Sequence, residues 1–582
     1  MELAAGFASI SRDDWRALAA EVLRKSGAEG GAPEEVLSRR TYDGVTVAPL
    51  YDADDLPGDP GSPGAAPYVR GARAVAGWDV RQRHAVPDPE AVLADLENGV
   101  TSLWLVVGDG AIPVGELGAV LKDVYLDLAP IVLQAGERTP EAAEALFALA
   151  GDTNGLSGNL GASAVLGTGG VELATRCAAG HPGLRAVTVD ATPYHDAGGS
   201  DAEELACSIA LGVAELRALT GGGLSVEQAL GQLEFRYAAI ADQFATIAKL
   251  RAARRLWARV AEACGAPGAG GQRQHAVTSS AMMTSRDPYV NMLRTTVACF
   301  AAGVGGAEAV TVQPFDACLG LPDAFSRRIA RNTQSLLLEE SGLGRVIDPA
   351  GGSWYVERRA ADLAQAAWAF FQEIEAAGGI EAAGDLVSGR IAATRDRRAD
   401  DIAHRRLPIT GVSEYPDVGE KPLRSRPAPP GSDPAQAGAL PSVRYAEPFE
   451  RLRALADARP DRPKVFLATI GPLSAHTARA AFAANLFQAG GLATETAGPG
   501  TDPEQIATAF AVSGAAVACL CSTDKLYDEH ATAVAAALHR AGARKVWLAG
   551  KGRYEGVDAD LHAGCDVLAV LSETFDDLEV TR

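Results

Sequence analysis

Eight cysteines and nine histidines are the residues of this 582-residue chain best suited to metal or redox chemistry, and their spacing argues against both. No C-x-x-C occurs, and only Cys519 and Cys521 lie close together, so neither a zinc ribbon nor a thioredoxin-type motif is available. Cysteines this sparse fit a reducing, cytoplasmic compartment in which they act as small buried hydrophobes. His195, preceded by Tyr194, stands just beyond the strand candidate AVTVD (186–190), a place where a histidine commonly serves as a hydrogen-bonded rim residue. His476 lies near the start of a helix and reads as a plain histidine, and Arg273 precedes the strand candidate HAVTS (275–279). No metal site is expected.

These residues need a scaffold, and composition limits its kind. Hydrophobic residues make up 47% and charged residues 22%, which excludes wholesale disorder. The charge is 53 − 74 = −21 with no basic block, so no surface suited to displacing counterions from nucleic acid is expected. Met1 to Arg12 lacks a basic region followed by an apolar core, so no export signal is expected. The uncharged stretch Ile506 to Thr523 is divided by Gly514 into a helix-like and a strand-like half, and reads as a buried αβ unit rather than a membrane span.

Along the chain, Ser11 and Asp14 form a capping-box-like start to an amphipathic helix carrying Trp15, Leu18 and Val22. This begins an N-terminal arm (1–66) of the kind that packs on a neighbour. From 67 to 408, short apolar runs alternate with helical patterns. The strand candidates are 102–107, 130–134, 186–190, 275–279, 309–313 and 345–348, with two more expected within the Gly-rich region 151–175. Helices are expected over Asp201–Thr220 and Ser225–Cys264. Repeated β-then-α over this length predicts a parallel (β/α)8 TIM-type barrel with trailing helices, an open doubly wound sheet being the alternative. Residues 416 to 448 hold eight prolines, the composition of an extended linker, here bounded as 409–460. Beyond it, 464–470, 515–521, 545–550 and 566–571 read as four strands of a flavodoxin-like α/β domain (461–582), whose ligands should lie beyond the strand C-termini.

Several segments together resemble the cobalamin-dependent acyl-CoA mutase family, methylmalonyl-CoA mutase above all. They are DGVTVAPLY (43–51), YHDAGGSDAEELA (194–206), KLRAARRLWARV (249–260), RDPYVNMLRTTVA (286–298), the block 321–357 and LPITGVSEYP (407–416), all in family order. The resemblance implies an acyl-CoA barrel linked to a cobalamin-binding flavodoxin-like domain. It also implies chemistry begun by homolysis of adenosylcobalamin, for which the protein supplies orientation and exclusion of water. In catalytic members a D-x-H-x-x-G loop follows the first strand of the small domain, its His ligating cobalt and its Asp orienting that His.

This chain departs from the pattern at several points. After Gly471 it reads PLSAHTAR (472–479): an ungapped match puts Ala475 and Leu473 at the His and Asp positions, whereas a shift of one recovers His476 but sets Ser474 and Arg479 at those of the Asp and Gly. Tyr194 and His195 match the family's tyrosine–histidine pair and Arg273 its strand arginine. The tyrosine expected after Arg70-Gly71 is replaced by ARAVAGWDVRQ (72–82), and the Gly-rich segment after the first strand by VVGDGAIPVGEL (106–117). The resemblance therefore implies the small (β), non-catalytic chain of a heterodimer, with Tyr194, His195, Arg273 and His476 as vestiges. Adenosylcobalamin and the succinyl-CoA/(R)-methylmalonyl-CoA interconversion would belong to the large catalytic subunit. A G-protein chaperone is a further partner the family brings. The alternatives are a stand-alone acyl-CoA-binding or scaffold protein, and an active mutase with an unusual loop.

Overall fold

The structure, a computed structural model, describes residues 10–28, 30–151, 155–423, 426–427 and 440–580. Residues 1–9 of the stretch read as lacking an export signal, part of the Gly-rich region (152–154) and part of the expected linker (424–425 and 428–439) lie outside the described residues.

Eight parallel strands close into a barrel: β1 (Asp79–His84), β2 (Ser102–Val106), β3 (Ile131–Gln134), β4 (Gly158–Ala162), β5 (Leu184–Asp190), β6 (Leu233–Ala239), β7 (Gln274–Thr278) and β8 (Ala309–Thr311). They pair in chain order and β8 returns to β1, so an open doubly wound sheet is not what forms. β1 and β6 are absent from the sequence reading because their charged residues face the lumen and pair there. Arg81 of β1 donates to Glu234 of β6 at 2.7 Å, and Arg236 of β6 to Asp190 of β5 at 2.7 Å. β6 accordingly interrupts the single helix expected over Ser225–Cys264, leaving Val226–Gly231 and Gln243–Ala263.

The expected strand at 345–348 does not form. A tight turn, Leu343–Arg345, leads to Asp348, which has positive φ and accepts from Arg70 at 2.9 Å and from Arg251. Of the two strands expected within 151–175, β4 is the one that forms among the described residues. Its Gly158 has φ +125°, and an added Cβ would lie 1.9 Å from the Ile131 carbonyl, so only glycine allows β4 to approach β3 so closely.

The second sheet is parallel and has five strands: β9 (Lys464–Thr469), β10 (Ala493–Thr496), β11 (Val517–Cys521), β12 (Lys545–Ala549) and β13 (Ala559–Leu561), in the order β10-β9-β11-β12-β13. Alternate residues feed two apolar layers. Val465, Leu467, Cys519 and Trp547 pack on one face, and Phe466, Ala468, Leu520 and Leu548 on the other. DVLAVL (566–571), expected as a strand, instead begins the helix Val567–Asp577, because Asp566 caps it by accepting from the Ala569 N–H at 2.9 Å. The short, half-exposed β10 and β13 escape the sequence reading. Ile506 to Thr523 divides as expected: a helix ends at Ser513, Gly514 takes the left-handed conformation, and β11 follows. Among the described residues no helix is long and apolar enough to cross a membrane.

The arm helix, Arg12–Lys25, has the Ser11/Asp14 capping box but buries none of its residues, with Leu18 62% and Val22 64% exposed. The arm's following turn is anchored, Asp43 accepting from the Ala202 N–H at 2.8 Å and Tyr42 donating to Asp401 at 2.6 Å.

Three cations of KLRAARRLWARV, Lys249, Arg251 and Arg254, are buried structural groups. Lys249 bonds Glu204 at 2.6 Å and Asp201 at 2.9 Å, and Arg251 pairs with Asp348 and Glu357. Arg254 donates to the carbonyls of Tyr68, Val69, Gly305 and Gly306 and to the Gln274 side chain. Lys249→Met would strand two buried carboxylates, so urea unfolding should show the barrel weakened by about 3–5 kcal/mol. A loss below about 1 kcal/mol would contradict the pairing.

Candidate functional site

A parallel barrel presents chemistry at the C-terminal ends of its strands. There a cavity of about 360 Å³ is lined by Trp104, Gln134, Asp190, Thr192, Ser280 and Arg444, among others. Its floor is set by alternation along the strands, which turns Ser102 and Trp104 of β2 inward beside Arg81 and Arg83 of β1, their register partners. Two guanidinium groups lie over the Trp104 ring, Arg236 at 4.2 Å and Arg83 at 5.4 Å from its centre, with His275 edge-on at 5.3 Å. Cations over an indole face are attracted to it, and Asp190 neutralises Arg236. Arg236 also donates to His275 Nδ1 at 3.3 Å, leaving Nε2 to donate to the Thr311 hydroxyl at 2.8 Å. Burial, with Arg81 and Arg236 nearby, holds His275 well below the usual histidine range. Below this layer, Arg81 bonds Ser102 and Glu234. The barrel axis is thus occupied by the chain's own side chains.

The short helix Thr192–Asp196 after β5 carries Tyr194 and His195. His195 is buried, its Nε2 2.7 Å from the Ser279 hydroxyl and its Nδ1 3.8 Å from Glu204. Burial and the nearby Lys249 charge lower its pKa to about 3, so the imidazole is neutral. Burial raises the Tyr194 phenol well above its usual range. Neither side chain lines the cavity, whereas Ser279, the partner of His195, does.

Arg273 lies at the opposite end of the barrel. It precedes β7, and the groups facing it are Arg73, Glu308, Glu234 and Asp79, at the N-terminal ends of the strands. Five residues of strand, about 17 Å, separate it from Thr278 at the mouth. The structure therefore does not bring Arg273 together with His195. Arg185 also faces Arg273, and burial with that neighbour lowers its pKa to about 10.

In the second sheet the crevice beyond β9, β11 and β12 is spanned by side chains. The helix Leu473–Ala489 starts in the loop after β9 and carries His476 and Arg479. Arg479 donates to the Ser522 carbonyl at 2.8 Å and to Asp524 at 2.6 Å, and lies over the Tyr527 ring. An added Cβ at Gly550, just after β12, would be 2.9 Å from its guanidinium carbon, so Arg479 rests directly on that backbone. The Tyr527 hydroxyl lies 3.0 Å from the Leu520 carbonyl and 2.9 Å from that of Ala549, and accepts from the Ser522 N–H. Ser522 in turn donates to the Ile470 carbonyl at 2.6 Å. His476 is 5% exposed, neither ring nitrogen has a hydrogen-bond partner, and burial lowers its pKa. Leu473 and Ser474 supply no carboxylate to orient it. Among the described residues no group of three or more His, Cys, Asp or Glu is placed to hold a metal.

Sequence reasoning missed the residues that fill the axis. Trp104 was visible in SLWLVV, and its inward direction needs the register with β1; Arg236 was hidden with β6.

A family model described as methylmalonyl-CoA mutase matches residues 171–458. The methylmalonyl-CoA mutase small subunit of Streptomyces virginiae is 55% identical, covering 100% of this chain and 98% of its own length. That of Propionibacterium freudenreichii subsp. shermanii is 39% identical, covering 100% and 97%. A methylmalonyl-CoA mutase of Cereibacter sphaeroides is 32% identical over 71% of this chain and 65% of its own.

A histidine that stays neutral when folded and protonates when unfolded makes stability fall as pH drops below about 6.5, and the fall continues to the folded pKa of about 3. His195→Asn should remove one proton from that dependence, flattening the slope between pH 6 and 4 by about 1.4 kcal/mol per pH unit. An unchanged slope would mean that His195 is charged in the fold.

Proposed function

The chain belongs to the methylmalonyl-CoA mutase family, and we propose that it is the small, non-catalytic subunit of a cytoplasmic heterodimer. In this reading the larger chain carries out the succinyl-CoA/(R)-methylmalonyl-CoA interconversion. The observation that carries the proposal is the filling of the barrel axis by Trp104, Arg236 and His275, where an acyl group would have to lie. His195 is bonded to Ser279 and set back from the cavity, so Tyr194 and His195 are vestiges that now support the fold.

We read the C-terminal unit (461–582) as flavodoxin-like, following the arm (1–66), the barrel with its trailing helices (67–408) and a linker (409–460). The strand order, second-first-third-fourth-fifth, supports that reading, and such sheets bind ligands at the switch between their first and third strands. Adenosylcobalamin, whose homolysis supplies the radical in this family, does not fit there. Arg479 rests on Gly550, Ser522 ties the β9 and β11 loops together, and His476 has no orienting carboxylate. The cofactor is therefore assigned to the partner, one per heterodimer, and a G-protein chaperone is a second proposed partner of the assembly.

The arm supplies a surface for the large subunit. Its exposed stripe of Ile10, Leu18 and Val22 is apolar and unpartnered, and a permanent complex of this kind buries well over about 2,000 Å².

The second reading, a stand-alone acyl-CoA-binding or scaffold protein, draws no support from the N-terminal end of the barrel, where Arg73, Arg185 and Arg273 are already faced by Glu234, Glu308 and Asp79. Co-expression with the longer homologue tests both. The expected result is a 1:1 complex with raised melting temperature, and weak or no heat on titrating this chain with succinyl-CoA. A stable monomer whose melting ignores the partner would overturn the subunit reading, and micromolar succinyl-CoA binding would favour the second.

A further inference from the structure

The barrel mouth is crossed by the chain itself. Val443 donates its N–H to the carbonyl of Asp196, the last residue of the short helix after β5, at 2.8 Å, and Tyr445 donates to the Ala281 carbonyl, in the loop after β7, at 2.9 Å. The segment Leu440–Ala446 therefore spans from that helix to that loop, above β6. Leu440 and Tyr445 pack on the barrel core, and Tyr445 also on the core of the second unit. Ser442 and Arg444 form part of the cavity wall, opposite residues such as Trp104 and Cys318.

One carboxylate holds this crossing to the barrel. The side chain of Glu450, from the helix Glu447–Asp457, is buried; one oxygen accepts from Arg444 at 2.6 Å and the other from the Ser285 N–H at 2.6 Å. Arg444 also reaches the Met283 carbonyl at 3.4 Å. Few other bonds fix the segment, which has no regular secondary structure of its own. Losing the carboxylate would leave the half-buried Arg444 without its counter-charge and the half-buried Ser285 N–H without its acceptor, which weakens the crossing.

We propose that Leu440–Ala446 is a strap latched over the barrel mouth by Glu450, so that solutes reach the cavity and Cys318 chiefly when the latch opens. This does not depend on the subunit reading, because it concerns contacts within one chain.

Cys318, which is only partly buried, reports access, and the exposed Cys264 serves as an internal reference. Burial raises the pKa of the Cys318 thiol, Arg444 lowers it and Glu450 raises it, so faster labelling in Arg444→Met can come only from opening. In the full-length protein, peptide-resolved iodoacetamide labelling should be at least 10-fold slower at Cys318 than at Cys264. Glu450→Gln should accelerate Cys318 at least 10-fold and speed amide exchange at Val443 and Tyr445, leaving the amides of β2 and β3 protected. Arg444→Met should act in the same direction and replaces Glu450→Gln if that variant does not fold. Equal labelling of Cys318 and Cys264 in the wild type would overturn the proposal, as would a folded variant with unchanged labelling and exchange.

Discussion

The centre of the barrel is organised by the contacts of the Trp104 ring with the guanidinium groups of Arg236 and Arg83. A charged group in a barrel lumen is costly unless neutralised and hydrogen-bonded. Arg236 meets both conditions through Asp190 and His275, and His275 through Thr311. Each group fixes the next, so the lumen is filled by a connected network rather than by loosely packed apolar residues. The Trp104 indole N–H has no hydrogen-bond partner, so the tryptophan is held by its ring contacts and packing rather than by the hydrogen-bonded chain. The network fills the axis of the barrel beneath the cavity at its mouth.

The second sheet reaches the same end differently. Its strand order provides the switch point at which α/β sheets bind ligands. Two side chains cross that point, Arg479 to the Ser522 carbonyl and Ser522 to that of Ile470, while Tyr527 bridges the ends of β11 and β12 beside it. The buried His476 has no partner for either nitrogen, in contrast to His195 and His275, whose nitrogens are engaged. The arm helix buries none of its residues and leaves Leu18 and Val22 exposed.

What the sequence discloses follows from which faces are buried. Strands such as β2, β3 and β5 are legible because their apolar runs are continuous, as expected for parallel strands covered by helices. β1 and β6 are not, since Arg81, Arg83, Glu234 and Arg236 interrupt the apolar pattern from the lumen side. DVLAVL reads equally as buried strand or helix, and the Asp566 cap decides it. At the sites, Arg479 is legible because it breaks a short motif. The separation of Arg273 from His195 is not, because strand direction is needed to see that one residue precedes β7 while the other follows β5.

The central claim is that side chains of this chain occupy the places where substrate and cofactor would sit. The most direct measurement is the visible spectrum of the purified chain mixed with adenosylcobalamin, for the wild type and for His476→Ala. The account predicts the spectrum of the free cofactor in both cases. A shift in the wild type that His476→Ala abolishes would show histidine ligation to cobalt, and would contradict it.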